Sequence, residues 1–61
     1  DCKIVIQING KKRSLISLPF NTNENFVANK AKQEPNVKKY LINSSVKKQI
    51  YVKNRLINFI I

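Results

Sequence analysis

The sequence predicts an α+β fold, a small β-β-α-α-β-β domain with a four-stranded sheet and two short helices packed on one face. Three observations carry this. Both ends of the chain hold β-branched, partly alternating segments; an Asn-Gly pair separates the first two; and the centre has a capping residue, helical apolar spacing and a proline break.

The first strand is read over residues 3–8, Lys-Ile-Val-Ile-Gln-Ile, and Asn9-Gly10 is a hairpin signal. A second strand runs from about Lys12 to Leu18 and stops at Pro19, which lacks the N–H a ladder needs. A two-residue turn would set Ile6 opposite Arg13 and Ile8 opposite Lys11, mixing cations into the apolar side. A three-residue loop with Gly10 in the left-handed bulge position shifts the register by one and exchanges the faces. Ile4 and Ile6 then share a side with Ser14, Ile16 and Leu18, and Lys3, Gln7, Lys11 and Arg13 occupy the other. The second register is preferred because it separates a core face from a cationic face.

Asn23 suits a helix N-cap, and Glu24 in the first turn complements the helix dipole. Val27 and Ala31, with Phe26 beside them, make a short apolar stripe. Pro35 ends this helix and can open another as its first residue. In the second helix Val37, Tyr40 and Leu41 face one way, Lys38 and Lys39 point elsewhere, and Asn43-Ser44-Ser45 is a loop.

Residues 46–52 and 56–61 form a second strand pair around Lys53-Asn54-Arg55. A two-residue turn places Val46, Ile50 and Val52 with Ile57, Phe59 and Ile61. Lys48 falls on that same face, and a rim position would let its stem pack while its ammonium stays in water. Phe20, Phe26 and Phe59 read as core, Tyr40 and Tyr51 as at most half exposed, and no ring sits among the cations in the pattern of an RNA-recognition sheet.

A chain of 61 residues is one domain, residues 1–61. It buries only about 60% of its unfolded surface. Its stability should be about 3–9 kcal/mol, with little room for a deep cavity. The single Cys2 excludes an internal disulfide, which favours a reducing compartment. No apolar run reaches the roughly 18 residues of a membrane helix. The chain opens at Asp1-Cys2 and closes on Phe59-Ile60-Ile61, and is expected to be the C-terminal piece of a longer protein.

Charge is the strongest functional signal. Twelve Lys and Arg against three acids leave a formal charge of +9, so the domain repels itself unless a polyanion accompanies it. The cations cluster as Lys11-Lys12-Arg13, Lys38-Lys39, Lys47-Lys48 and Lys53 with Arg55. Codon bias would enrich Lys, Asn and Ile together, yet it leaves the scarcity of Asp and Glu unexplained. Nucleic acid is the partner that phosphate neutralisation rewards. Catalysis has little to work with: no His, one Gly, one Cys, and three carboxylates, Asp1, Glu24 and Glu34, at a terminus and helix ends. No catalytic residue, metal site or cofactor is assigned to the chain. The lysines would meet phosphates as point charges, and Arg13 and Arg55 would make bidentate contacts. Without exposed rings among cations, the fit is to the backbone and shape of a folded RNA.

A family resemblance sharpens this. Ile6-Gln7-Ile8-Asn9-Gly10-Lys11, then Arg13, Pro19, Gln33-Glu34, Lys39-Tyr40-Leu41, Lys47-Lys48, Ile50-Tyr51-Val52, Leu56 and Asn58 closely resemble the extreme C-terminal domain of bacterial-type leucyl-tRNA synthetases. The match runs ungapped from about residue 4 to 61. Each motif alone is weak; their shared order and spacing are specific. The resemblance implies that the parent is a class I ligase joining leucine to its tRNA with ATP, and that the ATP, leucine and editing sites lie in other domains. It implies a flexibly tethered, monomeric domain that contacts the outer corner of the tRNA, where the D and T loops meet. That contact would place leucine isoacceptors for charging and editing, in the cytoplasm or an organellar matrix.

Carried over by position, Lys11, Arg13, Lys39, Lys47 and Lys48 match basic positions of the family and are the leading candidates for tRNA contact. Lys12, Lys53 and Arg55 are secondary. The chain departs from the family pattern at Lys53-Asn54, where Pro-Gly is frequent. It departs again at Ile42-Asn43-Ser44, where a Gly-containing turn is common, and at Phe26, where a polar residue would complete a capping box with Asn23. Two other readings remain open: an autonomous, ribosome-associated RNA-binding module, and a protein-docking domain whose positive face meets an acidic partner.

Overall fold

A computed structural model describes residues 1–61. The elements follow in the order β1 (Cys2–Ile8), β2 (Lys11–Leu18), α1 (Glu24–Gln33), α2 (Pro35–Leu41), β3 (Lys48–Val52) and β4 (Leu56–Ile60). The predicted α+β order holds. The sheet has strand order β2-β1-β4-β3. β1 runs antiparallel to β2, β3 antiparallel to β4, and the two hairpins join through a parallel β1–β4 pair. The connection through both helices permits that parallel pairing.

The core forms where the inward faces of the sheet meet the helices. β1 alternates strictly, burying Cys2, Ile4, Ile6 and Ile8. Ile57 and Phe59 of β4, Val27, Ala28 and Ala31 of α1, Val37 of α2 and Leu18 of β2 complete the cluster. No polar side chain lies inside it, so burial of apolar surface is the main stabilising term.

The helix boundaries have local causes. Asn23 Oδ1 accepts from the Phe26 N–H at 2.9 Å, satisfying one orphan donor of the first turn. Glu34 stays extended at φ −67°, ψ 129°, because the residue before a proline is disfavoured in the helical region. Pro35 then opens α2, and the Glu34 carbonyl accepts from the N–H groups of Val37 and Lys38.

The first hairpin corrects the sequence reading in part. The turn has two residues, with Asn9 at φ 52° and Gly10 at φ 84°, both in the left-handed region. Ile8 therefore faces Lys11 and Gln7 faces Lys12. The register then slips between Ile6 and Gln7, so that Ile6 pairs with Ser14 and Ile4 with Ile16. The register shift expected from a longer loop is supplied by a bulge inside β2. Ser14, Ile16 and Leu18 do share the side of Ile4 and Ile6, but two cations leave the side of Lys3 and Gln7: Lys11 pairs with Ile8, and Arg13, the extra residue, turns to the helix side, so that Lys12 stands with Gln7 instead.

The second hairpin reverses the predicted faces. Val52 pairs with Leu56, leaving a three-residue loop, Lys53-Asn54-Arg55. The Arg55 N–H donates to the Val52 carbonyl at 3.0 Å and Asn54 has φ 64°, the pattern of a type II turn. This one-residue difference exchanges the two sides of β3. Tyr51 and Gln49 face Ile57 and Phe59, and Lys48, Ile50 and Val52 lie on the open face with Ile60, Asn58 and Leu56. The physical reason is what covers β3. As an edge strand it meets the entrance of α1, where Tyr51 Oη donates to the Thr22 carbonyl (2.8 Å) and Gln49 Nε2 to Glu24 Oε2 (2.7 Å). Polar ends suit that position. Lys48 still shares a face with Ile50 and Val52, but that face is the open one, and Lys48 stands exposed at its rim.

Two aromatic assignments also change. Phe59 is fully buried, but Phe20 is 61% and Phe26 46% exposed. Phe26 lies one residue off the Val27–Ala28–Ala31 stripe, about 100° round the helix axis. Phe20 sits in the turn beyond Pro19, beside Asn21 at φ 63°.

Candidate nucleic-acid interface

Strand direction decides which cations meet. β1 and β4 run the same way, so the β1–β2 turn and the end of β4 lie at one end of the sheet, where β3 also begins. Lys11 and Lys12 stand on one side of that end, Lys47 and Lys48 on the other. Lys11 and Lys48 are separated by the width of four strands, about 14 Å at ordinary strand spacing.

Backbone and amide contacts tie this end together. The Asn9 N–H donates to the Phe59 carbonyl (2.9 Å) and the Lys47 N–H to the Ile60 carbonyl (2.7 Å). Asn58 Oδ1 accepts from the Gly10 N–H, and Asn9 Oδ1 from the Ile61 N–H, both at 3.0 Å. The cationic turn is thereby anchored to the far hairpin.

Arg13 and Lys39 gather round Tyr40. The Arg13 guanidinium carbon is 4.6 Å from the ring centroid, and the Lys39 ammonium 5.4 Å, both within cation–π range. Arg13 Nε is shielded from solvent and has no acceptor. Lys30 lies 5.9 Å from the Phe26 ring. Tyr40 lies on α2 and not on the sheet, so this is not the ring-bearing surface of an RNA-recognition sheet; the adjacency of Lys39 and Tyr40 in the sequence was the signal available for the cluster.

Lys53 and Arg55 occupy the β3–β4 turn at the opposite end, about 16 Å from Lys48 along the strand. The structure thus brings Lys11, Lys12, Lys47 and Lys48 to one end, adds Arg13 and Lys39 on the helix side, and separates Lys53 and Arg55. Glu24 and Glu34 accept hydrogen bonds from neutral Gln49 and Ser14, and Asp1 lies at the start of β1, away from the cationic turn.

The open face of the sheet is less cationic than the sequence suggested. Leu15, Ile50 and Val52 are exposed on it, with Val5, Leu56 and Ile60 half-buried between them. Lys3, Lys12 and Lys48 stand at its margins. A shallow groove of about 350 Å³ runs between β2 and α1, lined by Leu15–Leu18, Lys30, Gln33 and Glu34. No three His, Cys, Asp or Glu side chains converge as a metal site would require. No helix is long and apolar enough to cross a membrane.

No family model matches the chain. Individual relatives do. A leucine–tRNA ligase of Proteus mirabilis is 41% identical over 58 residues, 95% of this chain. That of Helicobacter pylori is 45% identical over 56 residues, 92% of the chain. Among solved structures, the Agrobacterium radiobacter K84 agnB2 LeuRS, crystallised as a ternary complex with tRNA and LeuAMS, superposes with a TM-score of 0.85 at 33% identity. That match covers 95% of this chain and 8% of the LeuRS chain. The cationic β-β-α-α-β-β unit is thus a domain of the aminoacyl-tRNA synthetase class. It spans about 7% of the length of the relatives it matches. Within that class the chain belongs to the bacterial-type leucine–tRNA ligases, as their C-terminal domain.

Proposed function

We propose that this chain is a tRNA-binding appendage of a leucine–tRNA ligase, contacting the outer corner of the tRNA where the D and T loops meet and so placing leucine isoacceptors for charging and for editing. The observation that carries the reading is the meeting of Lys11, Lys12, Lys47 and Lys48 at one end of the sheet, with Arg13 and Lys39 beside them. Cations drawn from two hairpins and a helix fit a curved phosphate backbone better than a single strand would. The matched LeuRS, solved with tRNA, supports the same partner.

The chemistry proposed for the chain is recognition alone. Lysines neutralise phosphates as point charges, and Arg13 adds directional donors. ATP and leucine would be handled elsewhere in the parent, with no cofactor held by this domain. The domain acts as a monomer on a flexible linker, which supplies effective concentration and makes tight intrinsic affinity unnecessary. The setting is the cytoplasm.

Backbone footprinting of leucine tRNA by the full-length protein tests the reading. Protection is expected at the D- and T-loop corner, and its loss in a Lys11→Ala/Lys47→Ala/Lys48→Ala variant. Unchanged protection in that variant would remove this end of the sheet from the interface.

A further inference from the structure

We propose that Tyr40 is a positioning residue that holds Arg13 and Lys39 ready for one stretch of RNA phosphate, an inference that rests on the tRNA-binding reading above. The argument begins with the bulge in β2. A bulge leaves its extra residue outside the ladder and re-aims its side chain. Arg13 is that residue, so its side chain leaves the alternation of the strand and reaches across to α2. There the guanidinium meets the Tyr40 ring at 4.6 Å, while the Lys39 ammonium approaches the same ring at 5.4 Å.

The ring itself is held in place. Tyr40 is half-buried and packs against the core, one turn from the fully buried Val37. Its faces carry the negative side of the aromatic quadrupole and attract both cations. Stacking engages the flat side of a guanidinium and leaves the in-plane donors free. Nε is shielded and without an acceptor, so Nη1 and Nη2 are the pair left for a bidentate phosphate contact. The neighbouring carboxylate of Glu34 accepts from Ser14 Oγ at 2.9 Å. Two cations held round one ring repel each other, and an arriving phosphate relieves that repulsion. Their prior ordering also reduces the side-chain freedom lost on binding.

The test is a substitution cycle in the full-length protein, reading the affinity of leucine tRNA, with thermal unfolding as the folding control. Tyr40→Leu should weaken binding by about two- to fivefold, the scale of exposed cation–π contacts. Tyr40→Phe should retain near-normal affinity. In an Arg13→Ala/Lys39→Ala background, Tyr40→Leu should add nothing further. An equal loss in that background, or a Tyr40→Phe variant as weak as Tyr40→Leu, overturns the proposal. Should Tyr40→Leu fail to fold, Arg13→Lys carries the test. It keeps the charge and loses the planar stack, so reduced affinity supports the proposal and unchanged affinity overturns it. A wild-type protein with no salt-dependent tRNA binding overturns the tRNA reading and this inference with it. Wild-type binding with an additive cycle overturns the role of Tyr40 alone.

Discussion

Asn21 and Asn54, 33 residues apart, both hold left-handed backbone conformations and bond to each other through their amides. Asn54 Oδ1 accepts from the Asn21 N–H at 2.7 Å, and Asn54 Nδ2 donates to Asn21 Oδ1 at 3.2 Å. Cys2 Sγ lies 3.7 Å from the same Asn54 oxygen. The β3–β4 turn is thus fastened to the loop that leads into α1. Asparagine is suited to both tasks, because it tolerates positive φ and its amide serves as donor and acceptor. This also accounts for Lys53-Asn54 standing where the related pattern has Pro-Gly: Asn54 fills the left-handed position of a type II turn as glycine would.

Asn54→Ala should therefore destabilise the domain by about 2–3 kcal/mol, combining left-handed strain with the missing hydrogen bonds. Asn54→Gly should cost only about 1 kcal/mol, since the conformation is kept and only the amide is removed. Urea unfolding separates the two. A glycine variant no more stable than the alanine variant would mean that backbone conformation is not what Asn54 supplies.

The sides of β3 make a second prediction. Ile50 is 39% exposed on the open face, so Ile50→Thr should change stability by no more than about 0.5 kcal/mol. Tyr51 packs against the core and donates to the Thr22 carbonyl, so Tyr51→Ala should cost about 2–4 kcal/mol. The opposite ranking in thermal melts would restore the two-residue turn and the exchanged faces.

The cations at the two ends of the sheet should behave differently. Lys47→Ala/Lys48→Ala should flatten the log–log salt dependence of tRNA binding by about 0.7–0.9 for each phosphate that is no longer neutralised. Lys53→Ala/Arg55→Ala, at the far end, should leave the slope close to wild type. Equal flattening by both pairs would indicate a diffuse positive field with no preferred end.

At the start of α1, Asn23→Ala removes the acceptor for the Phe26 N–H and should cost about 1 kcal/mol. Phe26→Glu tests the reverse change. The ring is 46% exposed, and a carboxylate there completes the capping box and favours the helix dipole, so stability should rise by about 0.3–1 kcal/mol. A fall in melting temperature on Phe26→Glu would show that the contact between Phe26 and Lys30 outweighs the cap.

Much of the molecule was legible one segment at a time. The presence of a hairpin at Asn9-Gly10 (though not its loop length), the Asn23 cap and the break at Pro35 act through residues that are neighbours in the chain, so their chemistry is visible there. The cationic pairs are visible for the same reason. Phe20 and Phe26 were misread because hydrophobicity alone says nothing about whether a facing element exists to cover a ring. The candidate site was legible only as a set of residue types; the approach of Arg13 to Tyr40 was not, since a bulge within β2 aims that side chain.

Local sequence by itself determined the order of elements, the charge and the absence of the usual catalytic groups. Tertiary structure decided the register of both hairpins and the parallel pairing of β1 with β4. In a strand, side chains alternate with period two, so alternative registers one residue apart look equally good locally while burying opposite faces. What separates them is the surface the helices present and the edges left to pair, and those are set by contacts between residues some fifty positions apart. The same long-range pairing carries Lys11 and Lys48 to one end of the sheet, a placement neither hairpin specifies alone.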